Sequence, residues 1–360
     1  MPTTAHGYAA HSHDTPLAPF TFERRDLRPD DVHIDIMFCG VCHSDLHTAH
    51  GDWDGLIYPN GTIYPNVPGH EIVGRVTAVG SAVSKFKAGD LVGVGCMVDS
   101  CQHCDACDAD LEQHCAHGAT WTYNSPDRVT GDNTYGGYSD SIVVREEFVL
   151  NIRHTEDELA AVAPLLCAGI TMWSPLRHWN VGPETRVGIV GIGGLGHMGV
   201  KLAHALGAHV VAFTTSESKR EEAFKLGADE VVVSRNAGEM GAQAGKLDFI
   251  INTVAVPHNL DAYLALLKVN GTMTLVGIPA EAHPSPSVAS LIGGRRSLAG
   301  SLIGGIKETQ DMLDFCAKHH ILADTETIAM QEIETAFARM LKNDVKYRFV
   351  IDMQTIKPAG

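Results

Sequence analysis

Four cysteines inside fifteen residues, Cys101, Cys104, Cys107 and Cys115 in CQHCDACDADLEQHC, constrain this chain more than any other feature. Four thiols this close are an oxidation hazard unless an ion ties them together. The usual tie is a closed tetrahedral zinc with four thiolates. Such an ion contributes folding energy to the loop that wraps it. Cys101-x2-Cys104-x2-Cys107 also copies the opening of a ferredoxin run, which raises an iron–sulfur cluster as the alternative. The fourth cysteine breaks that pattern, because seven residues separate it from Cys107 and no proline comes after it.

The rest of the composition describes an ordinary globular chain. At 360 residues it is too long for one common core, so two domains are expected. Hydrophobic residues at 44% and charged residues at 19% argue against disorder. A net charge of −16 disfavours a role on nucleic acid or on an anionic membrane. No stretch approaches the roughly 20 apolar residues of a membrane span. MPTTAHGYAA lacks the basic start and apolar run of a signal peptide, and nine cysteines fit a reducing compartment. These features together lead to the expectation of a soluble cytoplasmic protein.

Two rhythms divide the chain. Residues 1–154 are rich in short strand-like runs. Val32, Ile34, Ile36 and Phe38 alternate with His33, Asp35 and Met37, and IVGRVTAVG, LVGVG and SIVVREEFVL follow between glycine and proline punctuation. Thr155 and Glu158 resemble a capping box that opens a helix through ELAAVAPLL. From 186 onward strands alternate with helices: RVGIV, a helix near 194–206, HVVAF, SKREEAFKL, EVVV, LDFIINT, a helix over HNLDAYLALLKVN, and GTMTLVG. That succession predicts an α/β domain over 155–296 with a doubly wound parallel sheet. Residues 297–360 are expected to return to the first domain, with a helix in KETQDMLDFCAKHH and a closing strand in KYRFVID.

GIGGLG at 191–196 fits G-x-G-x-x-G between a strand and a helix, the context a dinucleotide turn requires. Gly191 allows the tight turn, Gly193 lets a pyrophosphate approach the backbone, and Gly196 permits close helix–sheet packing. Gly194 and Leu195 supply the remaining backbone, at the positive end of the helix dipole. The next strand ends in Phe213-Thr214-Thr215-Ser216 with no acid before Glu217, and Lys219 and Arg220 follow. Hydroxyls and two cations suit a 2′-phosphate, so NADP is favoured over NAD.

CGVCHSDLH (39–47), PGHEIVG (68–74), the tetracysteine loop and the glycine turn occur in an order that resembles the zinc-dependent medium-chain alcohol dehydrogenases. The resemblance is strongest to cinnamyl-alcohol-dehydrogenase-like aldehyde reductases, and it runs from Cys39 to Tyr347. It implies a β-rich GroES-like catalytic domain beside the Rossmann nucleotide domain, two zinc ions per chain, and a homodimer. Cys42, His70 and Cys167 match the ligands of a catalytic zinc that keeps a fourth position open. Asp45 matches the carboxylate that orients the imidazole, and Glu71 the acid beside the metal. Ser44 and His47 match a proton relay through the nicotinamide ribose to solvent. Thr171, Val276, Gly277 and Ser301 match contacts to the nicotinamide. Trp53 and Trp121 fall in segments that border the substrate pocket, which suggests bulky or aromatic substrates. The implied activity is hydride transfer from NADPH to aldehydes, reversible with primary alcohols.

Cys39, Cys96 and Cys316 match no ligand position and read as small buried thiols. His103 and His114 lie within the tetracysteine loop, but four cysteines already satisfy zinc. Among rival readings, a polyol dehydrogenase would use the acid of GHE as a ligand and prefer NAD. A quinone reductase of similar fold would lack the thiolates. A zinc module on nucleic acid conflicts with the charge and with the glycine turn.

Overall fold

The computed structural model describes residues 3–356. They form two compact units, one running to Cys167 and resuming at Gly304, the other Ala168–Ile303.

The first unit is built around the long strand Asp31–Gly40. It pairs antiparallel with Ile72–Val79, Ser141–Arg145 and Arg348–Asp352. The sheet extends outward through Thr325–Ala329 on one side and through Leu91–Val94 and Leu150–Asn151 on the other. The alternation read in the sequence is a burial pattern, with Val32, Ile34 and Ile36 inside and Asp35 outside. Each fully buried aliphatic side chain of this kind contributes about 1.5–3 kcal/mol. SIVVREEFVL is not one strand. It breaks into a short 3-10 turn at Glu146–Phe148, where the Glu146 carboxylate accepts the backbone N–H groups of Ser84 and Lys85.

Thr155 and Glu158 form the capping box the sequence announces, and short helical turns follow through Leu166. Residues 155–167, read above as opening the nucleotide half, lie in the first unit. Leu159, Val162, Leu165 and Leu166 are buried, and this segment packs on the sheet of that unit. Its end carries Cys167.

The second unit is a six-stranded parallel sheet. From edge to edge it runs Glu230–Val233, His209–Thr214, Arg186–Val190, Leu247–Asn252, Leu267–Leu275 and Ser297–Gly300. The inner strands Arg186–Val190, His209–Thr214 and Leu247–Asn252 are mostly apolar and buried, as strands covered on both faces are. Val190, Val211, Phe213, Ile250 and Met273 share one core cluster. One expectation fails here. HNLDAYLALLKVN is helical only over Asp261–Leu264, and Leu267–Asn270 opens a strand instead. Leu267 pairs with Leu247 and is wholly buried, so sheet pairing overrides the helix-like spacing of the leucines. Chain order reverses between Arg186–Val190 and Leu247–Asn252. Ligands of such sheets bind at the carboxyl ends beside this reversal.

Candidate active site and metal centres

Cys42 caps the helix His43–Ala49, and the Asp45 carboxylate takes the Cys42 backbone N–H at 2.9 Å. Asp45 is wholly buried, and its oxygens also accept from Gly69 N at 3.1 Å, His70 Nδ1 at 2.9 Å and Tyr138 Oη at 3.1 Å. Gly69 stands at φ +101°, where a Cβ would lie 2.7 Å from the Tyr138 ring. The tight turn before His70 therefore needs glycine. With Nδ1 donating to Asp45, the ring is held in one tautomer and Nε2 is left as a lone-pair donor.

Donor atoms of Cys42, His70, Glu71 and Cys167 lie within 4.8 Å of one another. The Cys42 and Cys167 sulfurs are 3.9 Å apart. Two thiolates on a tetrahedral zinc at the usual bond length stand about 3.8 Å apart, so this donor set fits the ion. The bond with Cys167, against the cost of burial, holds the Cys42 thiol well below its ordinary range. Cys42 and Cys96 push the Cys167 thiol up. Burial opposes a charge on His70, yet Asp45 and the neighbouring thiols raise its imidazole well above the usual value. Glu71 is fully buried and paired with Arg348; burial pushes its carboxyl up to about 8 while the guanidinium pulls it back. Its second oxygen is buried without a partner.

Beside the cluster, Ser44 Oγ lies 3.5 Å from Cys42 Sγ. His47 lies one helical turn on, half-buried, with Nδ1 2.8 Å from Asp52 and its ring 5.2 Å from that of Trp53. The Tyr123 ring lies 5.6 Å from that of His70, tilted 50° to it. Trp121 lies on the short strand Thr120–Trp121, paired with Met97.

The tetracysteine loop converges on a second centre. Cys101 and Cys107 sulfurs are 3.9 Å apart, and Cys104 and Cys107 are 3.6 Å apart. Cys115 completes the cluster, and backbone N–H groups of Cys101 and Ala116 point at the Cys115 and Cys104 sulfurs. These separations again bracket the spacing that tetrahedral thiolates on zinc require.

The nucleotide turn occupies the carboxyl edge of the parallel sheet. Gly191 stands at φ +90°, and a Cβ on Gly196 would meet the Gly191 carbonyl oxygen at 1.8 Å. A Cβ on Gly193 meets nothing within 4 Å, which leaves the open approach that a pyrophosphate needs. Gly194 and Leu195 follow it into the helix Gly196–Ala205. Thr214 ends the neighbouring strand, with Thr215 exposed beside it and Ser216 following. Lys219 Nζ reaches back to the Ile192 carbonyl at 2.8 Å. Arg220 instead pairs with Glu217 and Glu239. Val276, Gly277 and Ser301 follow the next strand ends along the same edge, and Thr171 is buried in the helix Ala168–His178.

The matched family models are an alcohol dehydrogenase GroES-like domain over residues 28–154 and a zinc-binding dehydrogenase over 194–318. An aldehyde reductase of Escherichia coli, YahK, is 62% identical over 96% of this chain and 97% of its own length. The chain belongs to the zinc-dependent medium-chain alcohol dehydrogenases. It is an enzyme of this family's cinnamyl-alcohol-dehydrogenase-like group, with a GroES-like domain and a parallel-sheet nucleotide domain. A cinnamyl alcohol dehydrogenase of Sorghum bicolor superimposes with a TM-score of 0.93 at 44% identity, covering 99% of this chain and 100% of that one. A Helicobacter pylori enzyme of the same kind, solved with NADP(H), gives 0.91 at 42% identity and covers 99% and 100%.

Sequence reasoning missed Arg348, Tyr138 and Tyr123 in this dehydrogenase, since nothing local to them signals a site. It also set Cys96 aside as a plain thiol. The structure puts Cys96 beside Cys167, where their hydrogen bond lowers the Cys96 thiol.

Proposed function

We propose that this dehydrogenase reduces aldehydes to primary alcohols with NADPH, reversibly, and carries two zinc ions per chain. The observation that carries the reading is the convergence of Cys42, His70 and Cys167, with Asp45 bonded to both the Cys42 backbone and His70. Three protein donors leave a fourth position for a substrate oxygen. When bound, the zinc supplies Lewis-acid polarisation of that oxygen and NADPH supplies the hydride. The chain's own residues do the rest. Asp45 fixes the His70 tautomer. The Ser44 hydroxyl, beside Cys42, hands a proton to the reduced oxygen, and His47 on the next turn exchanges it with solvent. Thr215, Ser216 and Lys219 receive the 2′-phosphate, and Gly193 admits the pyrophosphate. Cys101, Cys104, Cys107 and Cys115 hold the structural ion.

The relatives support the cofactor and the substrate class. Trp53 and Tyr123, both buried and aromatic, favour bulky or aromatic aldehydes. A homodimer is the assembly we expect, in the cytoplasm; among the described residues no single helix is long and apolar enough to cross a membrane. The test is the initial rate of cinnamaldehyde or benzaldehyde reduction with NADPH and with NADH, before and after chelation. Chelator-sensitive oxidation of NADPH is expected. Turnover that ignores chelation, or that prefers NADH, counts against it.

A further inference from the structure

Among the described residues a third donor cluster is present. Cys101, His103 and His117 each place a ligand atom within 4.8 Å of the other two. Both histidines are exposed, and their rings lie 5.7 Å apart and 32° from parallel. His103 Nδ1 faces the Cys101 carbonyl, so this nitrogen carries the proton and Nε2 is left with its lone pair. A backbone carbonyl that fixes the tautomer in this way is the usual companion of a metal-ligating histidine. Gln102, between the two donors, stands at φ 59°, which turns the chain so that residues 101 and 103 face one side.

From this geometry we propose that the zinc-loaded enzyme has a surface site for one further divalent cation of borderline softness. Zinc or nickel would be held by His103, His117 and the sulfur of Cys101. The proposal rests on the four-thiolate reading of the loop, because it needs Cys101 as a thiolate already bound to the structural ion. Four thiolates around one divalent zinc leave a doubly negative cluster, and a coordinated thiolate keeps lone pairs with which to bridge. Exposed Asp105, Asp108 and Asp110 on the same loop deepen the negative field. Arg128 lies by Cys115 and the carbonyls of His117 and Gly118, and Lys307 lies near Asp110. Imidazole with thiolate suits zinc and nickel, whereas calcium and magnesium prefer oxygen donors. Donors on one tetrahedral ion stand about 3.3–3.8 Å apart. Two exposed rings reach that spacing by small side-chain rotations. Because Cys101 is shared, an ion here is one ligand exchange from the four-cysteine centre, and the site serves as its port for loading and exchange.

The experiment starts from purified holoenzyme. Zinc content as isolated reads the four-thiolate assignment: fewer than two ions per chain, not restored by zinc, sinks that reading and this one with it. Equilibrium dialysis against excess zinc chloride then reads the further site. One additional zinc per chain is expected, lost in the double variant His103→Ala/His117→Ala and retained in His114→Ala, with the resident zinc and the melting temperature unchanged in both. Each single change should weaken the third ion by about tenfold or more, since even the loss of an outer hydrogen-bond partner costs 10–100-fold. Nickel titrated into holoenzyme should show a sulfur-to-nickel absorption band that the double variant lacks. Two tightly held zinc ions with no third equivalent, a third equivalent indifferent to His103 and His117, or nickel binding without a sulfur band would each overturn the proposal.

Discussion

His70 Nδ1 lies 2.9 Å from one oxygen of Asp45, and the other oxygen takes the Cys42 backbone N–H at the same distance. One buried carboxylate thus sets the position of two donors that are 28 residues apart in sequence. Asparagine at this position keeps one accepting oxygen but turns an NH2 toward groups that already donate. Asp45→Asn should weaken zinc at the catalytic centre by about 10–100-fold, the usual effect of losing a ligand's outer partner. Competition against a chromophoric chelator measures that directly, and activity should recover in part with added zinc. Retention equal to that of the parent would mean that the carboxylate does not hold the ligands.

Lys219 and Arg220 look equivalent in the sequence and are not equivalent in the structure. Glu217 and Glu239 flank the Arg220 guanidinium, so it is already neutralised in place. Lys219 reaches to the carbonyl of Ile192 inside the glycine turn. Lys219→Ala should raise the KM for NADPH by about tenfold, the worth of one charge-assisted hydrogen bond of roughly 1.5 kcal/mol. NADH should be little affected, and Arg220→Ala should move the NADPH value much less. Steady-state kinetics with both cofactors decides it, and equal losses from the two alanines would contradict the assignment.

His154 is buried, and neither ring nitrogen has a hydrogen-bond partner. Burial lowers its imidazole below the ordinary value, against the pull of Glu158 and with a push from His320. As pH falls below about 6.5 the unfolded chain takes up the proton first. Stability from a neutral His154 is therefore fully present above that pH, and it declines on acidification until the folded-state value is passed. Melting temperature between pH 7 and 5.5 should fall more steeply in the parent than in His154→Gln. Parallel curves would show that this histidine is not desolvated.

Local chemistry made much of the site legible in advance. The four cysteines of the loop are neighbours in sequence, and Gly191, Gly193 and Gly196 sit in the strand–turn–helix context that a nucleotide turn requires. Cys42, His70 and Cys167 came from the family resemblance, because ligands spread along the chain carry no spacing signal. Arg348 is 277 residues from the acid it pairs with, and Tyr138 is 93 from Asp45. Contacts of that range are made by the sheet, where Arg348–Asp352 lies beside Asp31–Gly40. The leucines of LALLKVN misled for the opposite reason: their spacing suits a helix, and only the strand at Leu247–Asn252 makes them a ladder.

The pair Glu71–Arg348 is the most consequential of these long-range contacts for stability. Glu71 is wholly buried and Arg348 nearly so; without Glu71 the guanidinium is an unsolvated charge, whereas without Arg348 the carboxyl, already pushed up to about 8, takes up a proton. Removing one partner of a buried pair costs about 3–5 kcal/mol, whereas replacing both with uncharged groups of similar volume is often close to neutral. Glu71→Gln, which strands the guanidinium, should therefore lower the free energy of urea unfolding by roughly that amount. Glu71→Gln/Arg348→Met should recover most of the loss. A double variant no more stable than Glu71→Gln would show that the cost lies in packing around Glu71, and the ion pair would then have no special claim on the fold.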